Sequence, residues 1–235
     1  MSREQNYTAV ILKKQPFNEG DEIITLFSKE RGKIRALAKS VKLSKSRLQQ
    51  KLQSLFLIQA TFTAAAGLPK IISAEPIKVF VNLRQNLTAS KMGFYAAELV
   101  MKFTADEQKN EPLFNLLCQF LDFLDLANDD VVLNSGLAKF KIEILGTSGF
   151  GIKKPKQAEE IYFSFAKGGF SSDKTPEALA VSKQAYKTFS TLSSGDFASL
   201  GSANGQSDSI EELQRLLSGL IEYHLERKVK SEKYI

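Results

Sequence analysis

The sequence predicts an α+β protein in which a small β-barrel is followed by a bundle of helices. Five short segments rich in β-branched and aromatic residues lie before residue 82, and turn residues separate them. After Asn82 the apolar residues recur every three or four positions, which is the period of a helix. Basic residues are concentrated early: up to Gln85, fifteen Lys and Arg stand against six Asp and Glu, so this part carries +9 in a chain of net charge +6. This asymmetry indicates a polyanion-binding module joined to a mildly acidic body.

The change of period predicts a domain boundary, with a barrel domain at 1–81 and a helical domain at 82–235. The 235 residues, 43% hydrophobic and 25% charged, have the composition of a globular protein with one large or two small domains. A single cysteine, Cys118, excludes an internal disulfide and any multi-cysteine zinc site. No signal-peptide pattern follows Met1, and no apolar run approaches the ~20 residues that cross a bilayer. We therefore expect a cytoplasmic protein that does not interact with membranes.

The first three strands are predicted at residues 7–14, 21–28 and 32–39. The sequence QPFNEG separates the first two, and Glu30-Arg31-Gly32 supplies the next turn. In the third strand, alternation predicts one apolar face and one face that carries three bases. The basic face consists of Lys33, Arg35, Leu37 and Lys39.

Two more strands are predicted at residues 54–64 and 68–80, after a Ser-rich connection from Ser40 to Gln53. Five short strands with the longest connection after the third favour a closed barrel, and the OB-fold is the leading candidate. A five-stranded SH3-like barrel would produce much the same pattern. Closure is favoured because it removes exposed sheet edges.

The second half predicts helices interrupted by one hairpin. Helices are expected at residues 83–103, from Asn110, at 131–145, at 175–192 and from Ser209, where Glu212 has capping-box spacing. Alternating residues followed by Gly168-Gly169 predict a hairpin insertion at about 150–174.

Residues suited to catalysis are scarce. His224 lies on the apolar stripe of the last predicted helix and Cys118 in the most apolar one, so we expect structural roles for both. No phosphate-binding or dinucleotide-binding glycine loop is present. Asp21, with Glu19 and Glu22, is expected to form local salt bridges and to cap loop amides rather than to bind a metal. We therefore predict neither an enzyme nor a cofactor.

The stretch from Lys29 to Lys51 contains nine bases and one acid, Glu30. A solvated loop is one interpretation of such a run; the other is a surface that follows successive phosphates without reading bases. The candidate nucleic-acid-binding residues are Lys33, Arg35, Lys39, Lys42, Lys45, Arg47 and Lys51. Five aromatic residues could stack on bases, although we expect most of them in the core: Tyr7, Phe17, Phe27, Phe56 and Phe62.

The sequence NEGD at 18–21, followed by IITLFSKERGKIRALAKSVKLSKSRLQ, resembles the N-terminal signature of the RecO recombination mediators. The similarity continues through LPKIISAEPIKVF, YAAELV and the terminal HLERKVKSEKYI. The resemblance implies an OB-fold joined to a helical domain in a nucleoid-associated DNA repair protein of the RecF pathway. It further implies binding of single- and double-stranded DNA, annealing of complementary strands, contacts with RecR and single-stranded DNA-binding protein, and loading of RecA. The resemblance carries a DNA-binding role over to six bases of the matched block: Lys33, Arg35, Lys39, Lys42, Lys45 and Arg47.

The sequence departs from the family pattern at two places. Ser40 stands where the family usually has glycine, and the hairpin lacks the two cysteine pairs that many members carry. A structural zinc is therefore excluded there, and the hairpin must be held by the packing of Ile161, Phe163, Phe165 and Phe170. Two other functions stay open from the residues alone: an RNA- or ribosome-associated OB-fold protein, and a metal-dependent hydrolase that uses Asp21.

Overall fold

A computed structural model describes residues 4–42, 46–63, 67–155, 160–202 and 207–235. The chain divides into two compact units, Met1–Asp125 and Leu126–Ile235. The boundary predicted between residues 81 and 82 lies inside the first unit, one residue after the start of the first helix that follows the barrel. That division of the chain into domains stays a prediction.

Five strands of the first unit form a closed barrel. They are β1 (Glu4–Pro16), β2 (Glu22–Ser28), β3 (Gly32–Ala38), β4 (Leu57–Thr63) and β5 (Lys70–Lys78). Their order is β1-β2-β3-β5-β4; β1 pairs antiparallel with both β2 and β4, and β3 meets β5 in parallel at Leu37 and Lys70. The predicted α+β class and OB-fold are confirmed.

The barrel is closed around one apolar core. Ile11, Ile24, Ile34 and Ile58 contribute to it, and each is almost fully buried. Along β3, burial alternates so that Ile34 faces the core while Arg35 is exposed. The two predicted faces of this strand are therefore confirmed, although β3 ends one residue before Lys39.

Four helices complete the first unit. They are α1 (Arg47–Lys51), α2 (Val81–Gln85), α3 (Leu87–Phe103) and α4 (Glu111–Leu126). The single helix predicted at 83–103 is interrupted because Asn86 is extended, and its side chain caps α3 by accepting from the amide of Ala89. The helix start predicted near Asn110 is confirmed, since its side-chain oxygen accepts from the amide of Leu113 at 3.0 Å. The short helix α1 within the basic connection was not predicted.

The second unit combines helices with a small sheet. Its elements are α5 (Asp130–Thr147), β6 (Ile161–Ser164), β7 (Gly169–Ser171), β8 (Leu179–Val181), α6 (Lys183–Ser194) and α7 (Ser207–Leu225). The sheet has the order β7-β6-β8, so the predicted hairpin is confirmed and gains a third strand. No helix in the described ranges is both long enough and apolar enough to cross a membrane.

The helix predicted from residue 175 begins later, at α6. Ser182 caps it by accepting from the amide of Ala185 at 3.0 Å. Glu212 accepts hydrogen bonds from both the amide and the hydroxyl of Ser182. The predicted capping box at Ser209 is therefore wrong, because Glu212 anchors α6 rather than the start of its own helix.

Aromatic rings hold the small sheet together. Phe163 and Phe170 are buried, and their ring centroids lie 4.9 Å apart in an edge arrangement. Phe170 also lies 4.5 Å from Phe189 of α6, and Phe165 lies 5.6 Å from Phe163. Such pairs stabilise beyond the area that they bury. The predicted packing of this hairpin by phenylalanine side chains is confirmed.

Candidate nucleic-acid interface

The turn between β1 and β2 is tied to the segment that follows β3. A carboxylate oxygen of Asp21 accepts a hydrogen bond from the Ser40 amide at 2.7 Å. The Lys42 amide donates to the carbonyl of Gly20 at 3.1 Å, and the Phe17 amide donates to the carbonyl of Asp21 at 3.2 Å. The first two bonds hold the backbone that carries Lys39 and Lys42, and the third closes the turn itself. The predicted amide-capping role of Asp21 is confirmed.

Ser40 adopts the left-handed conformation, with φ +54°. Glycine takes this conformation without the steric cost that a Cβ imposes. The Asp21 carboxylate holds the serine there through its amide. Glu22, the first residue of β2, pairs with Lys14 at 3.4 Å, as predicted for a local salt bridge.

A row of polar side chains crosses the outside of the barrel. Strand register places Lys13 of β1 opposite Thr25 of β2, and Thr25 opposite Arg35 of β3. Residues that pair directly in adjacent antiparallel strands project from the same face. Lys13 and Arg35 are both exposed, so two cations flank Thr25.

A β-bulge explains why Lys13 faces outward. Ile11 lies in the core, and a regular strand would point Lys13 to the same side two residues later. The register shifts between Ile11 and Lys13, which inserts Leu12 as an extra residue and turns Lys13 to the outer face. Sequence reasoning missed Lys13 because alternation alone assigns it to the interior.

We call Lys13, Arg35, Lys39 and Lys42 the basic surface. All four side chains are exposed, and within the part of the chain that the structure describes no acidic side chain pairs with any of them. Unpaired cations on adjacent strands and connected turns attract anions. When they neutralise the phosphates of a nucleic acid, its condensed counterions are released, and this release favours binding. This surface therefore has the chemistry of a phosphate-binding site.

The other predicted cations have different surroundings. Lys33 is partly buried: its ammonium donates to the carbonyls of Met101 at 2.9 Å and Thr104 at 2.6 Å and lies 3.2 Å from Asp106. It therefore satisfies carbonyls at the C-terminal end of α3, where a cation is favoured. A phosphate contact by Lys33 stays a prediction that these bonds disfavour.

The remaining three candidates lie in the connection after β3. Lys51 pairs with Glu75 of β5, and Arg47 is exposed at the start of α1. Lys45 lies outside the described residues. The structure thus brings together Arg35, Lys39 and Lys42 of the predicted set and adds Lys13 to them.

Two family models together match most of the chain. The model for the Recombination protein O N terminal matches residues 1–80, and that for the Recombination protein O C terminal matches residues 84–233. The chain belongs to the Recombination protein O family. The RecO resemblance predicted from the sequence is therefore confirmed.

Curated relatives of this RecO family member extend over nearly its whole length. A protein named DNA repair protein RecO from Dehalococcoides mccartyi strain CBDB1 is 28% identical over 234 residues, covering 95% of this chain and 91% of the relative. One of the same name from Geobacter metallireducens is 26% identical over 240 residues, covering 97% and 95%. Another from Caldicellulosiruptor saccharolyticus is 28% identical over 230 residues, covering 94% and 93%.

The aromatic residues of the RecO barrel separate into buried and exposed ones. Phe27, Phe56 and Phe62 are buried, as expected for most of the set. Tyr7 is partly buried, with its ring centroid 5.2 Å from that of Phe62. Phe17 is different, because 49% of it is exposed.

The residues considered for catalysis have structural surroundings in this RecO family member. Burial, with a smaller contribution from the charge of Asp122, raises the pKa of the Cys118 thiol to about 12, so the thiolate nucleophile is not formed near neutral pH. The His224 ring stacks on Phe150 with centroids 4.3 Å apart, and burial lowers its pKa. Across the described ranges, no group of three or more His, Cys, Asp or Glu side chains is placed to hold a metal ion.

Two lysines of α5, Lys139 and Lys141, are buried. Lys139 donates to the carbonyl of Gly195 at 2.6 Å, and Lys141 donates to Ser218 at 2.7 Å and to Glu232 at 3.0 Å. Both ammonium groups therefore make contacts inside the fold and are not displayed for an acidic partner.

Proposed function

We propose that this RecO family member is a DNA repair mediator that binds single- and double-stranded DNA through the basic surface. The observation that carries the proposal is the set of four exposed cations without an acidic partner among the described residues, on the outside of an OB-fold barrel. Family membership and the DNA repair names of the relatives support the same function.

The chemistry of this surface suits strand annealing. Lysine and arginine contacts to phosphate give affinity and position but carry little base preference. A surface that holds a strand by its phosphates leaves the base edges free to pair with a second strand. Neutralising phosphates also reduces the repulsion between two approaching strands. We therefore propose that the barrel accelerates the annealing of complementary strands.

The proposal extends to the partners and place of action that the family resemblance implies. The protein would act in the cytoplasm, associated with the nucleoid. It would contact single-stranded DNA-binding protein and RecR, and it would help to load RecA onto DNA. These interactions are testable by annealing and RecA-loading assays on strands coated with single-stranded DNA-binding protein.

The first test is the salt dependence of binding. If all four cations contact phosphates of a single strand, log affinity should fall with log salt with a slope of about −2.8, since each contact contributes about −0.7. Replacing Arg35 and Lys39 by Gln should reduce the magnitude of the slope by about 1.4. The matched control is the pair Lys183→Gln and Lys187→Gln, two exposed lysines of α6, which should leave the slope unchanged.

Two outcomes contradict the proposal. Binding that does not depend on salt would rule out phosphate contacts by the basic surface. Equal salt slopes for the wild type and the Arg35→Gln, Lys39→Gln variant would rule them out as well. Competition between single-stranded DNA and RNA of matched sequence tests the alternative class. A clear preference for RNA would favour an RNA- or ribosome-associated protein.

A further inference from the structure

We propose that Phe17 stacks on an unpaired base and so makes the basic surface selective for single strands. The inference rests on the proposed DNA-binding function and adds a contact that phosphate binding alone does not provide. Phe17 lies in the turn between β1 and β2, immediately after the last residue of β1. Turns at this position of an OB-fold border its ligand-binding face.

A single exposed phenylalanine needs no explanation by itself. What distinguishes Phe17 is the set of hydrogen bonds that joins its turn to the cationic segment. Its own amide is bonded to the carbonyl of Asp21, the Asp21 carboxylate is bonded to the Ser40 amide, and Gly20 is bonded to Lys42. The ring is therefore carried by a backbone that is fixed relative to Lys42.

The ring and the cations together match the requirements of single-strand binding. Such sites combine positive charges that follow the backbone with aromatic rings on which bases stack. Within the described barrel, Phe17 is the phenylalanine that offers an exposed ring for stacking, because Phe27, Phe56, Phe62 and Phe80 are buried. Lys39 and Lys42 would hold the phosphates beside the stacked base.

This arrangement has a consequence for annealing. In a duplex each base is already stacked on its neighbours and presents no free face to a side chain. Stacking on Phe17 would therefore strengthen the binding of the separate strands and leave duplex binding to phosphate contacts alone. The annealed product would be held more weakly than its precursors and would be released.

The first experiment compares three ligands of equal length: oligo(dT), a strand with the same phosphates but abasic sugars, and a duplex. Replacing Phe17 by Ala should weaken oligo(dT) binding about 5- to 150-fold, as expected for the loss of one stacked base. Binding to the abasic strand and to the duplex should not change. The control is Phe94→Ala, which removes a phenylalanine with 48% exposure from α3.

The second experiment uses fluorescence, because the chain contains no tryptophan. In the Phe17→Trp variant the new side chain is the sole indole, and stacking on a base should quench its emission. We expect quenching by saturating oligo(dT) and none by the abasic strand. The Phe94→Trp variant should show no quenching with either ligand.

The outcomes separate this inference from the function on which it rests. If wild-type binding shows no salt dependence, the proposed function and the stacking inference both fail. If the wild type binds with the expected salt dependence but Phe17→Ala binds oligo(dT) equally well, only the stacking inference is overturned. Unquenched Phe17→Trp emission at saturation would overturn it as well.

Discussion

Replacing Asp21 by Ala should weaken DNA binding although it removes no cation. The substitution deletes the carboxylate that accepts from the Ser40 amide at 2.7 Å. No carboxylate then accepts from the Ser40 amide to hold this residue at φ +54°, and the backbone that carries Lys39 and Lys42 is free to relax. A hydrogen bond to a charged group contributes about 1.5–3 kcal/mol in general. Because this one is exposed and water can replace it, we expect a loss of about 1 kcal/mol in the free energy of unfolding.

The assay for this loss is urea denaturation followed by DNA titration. With an m value of about 2 kcal/mol/M, a loss of about 1 kcal/mol lowers the urea midpoint by about 0.5 M. Single-strand affinity should fall several-fold, since binding must now order the loosened segment.

Glu19→Ala is the matched control for Asp21→Ala. It removes one negative charge from the same turn, and no hydrogen bond or ion pair is found for the Glu19 side chain among the described residues. Losing a negative charge should by itself slightly favour DNA binding in both variants. If Asp21→Ala and Glu19→Ala behave alike in both assays, the anchoring role of Asp21 is refuted.

Three further predictions concern the first compact unit. Lys33→Met should lower the free energy of unfolding by about 1–3 kcal/mol and leave the salt slope of DNA binding unchanged. Arg35→Gln should instead reduce the magnitude of the slope and leave the free energy of unfolding unchanged. A changed slope for Lys33→Met would show that Lys33 contacts phosphate. Gly32→Ala should lower the free energy of unfolding by more than about 3 kcal/mol, as measured by thermal or urea unfolding. Gly32 has φ +73°, and an added Cβ would lie 1.9 Å from the carbonyl oxygen of Gln108. An unfolding midpoint equal to that of the wild type would contradict this close approach. Because the pKa of Cys118 is raised to about 12, almost no thiolate exists at pH 8. A thiol reagent should therefore label the native protein slowly and the urea-unfolded protein quickly. Rapid labelling of the native protein would contradict burial of the thiol.

The sequence alone predicted those elements of the fold that depend on a periodic or local residue pattern. The alternation through Ile34 and Arg35 identified both faces of β3, and Asn110 marked the start of α4. The family resemblance strengthened the choice of an OB-fold over an SH3-like barrel, and the pairing of β1 with both β2 and β4 confirmed it. Strand alternation and helix capping involve residues that are close in the sequence, so the sequence alone predicts them.

The missed features depend on contacts between residues far apart in the sequence. Glu212 has the spacing of a capping box, yet its carboxylate bonds to Ser182, thirty residues earlier. Lys33 has the spacing of a phosphate ligand, yet it binds carbonyls at the end of α3. A charged side chain chooses its partner from the folded surroundings, so position in a strand cannot decide between a structural and a ligand-binding role.

The aromatic packing of the small sheet also bears on how the second unit responds to its surroundings. Where a sheet is fixed by cysteine and metal, its stability depends on metal supply and on the oxidation state of the thiols. Here Phe163, Phe170 and Phe189 hold the sheet by burying their rings. Neither a chelator nor an oxidant of thiols should loosen it, so the sheet should keep its packing when metal is scarce or thiols are oxidised.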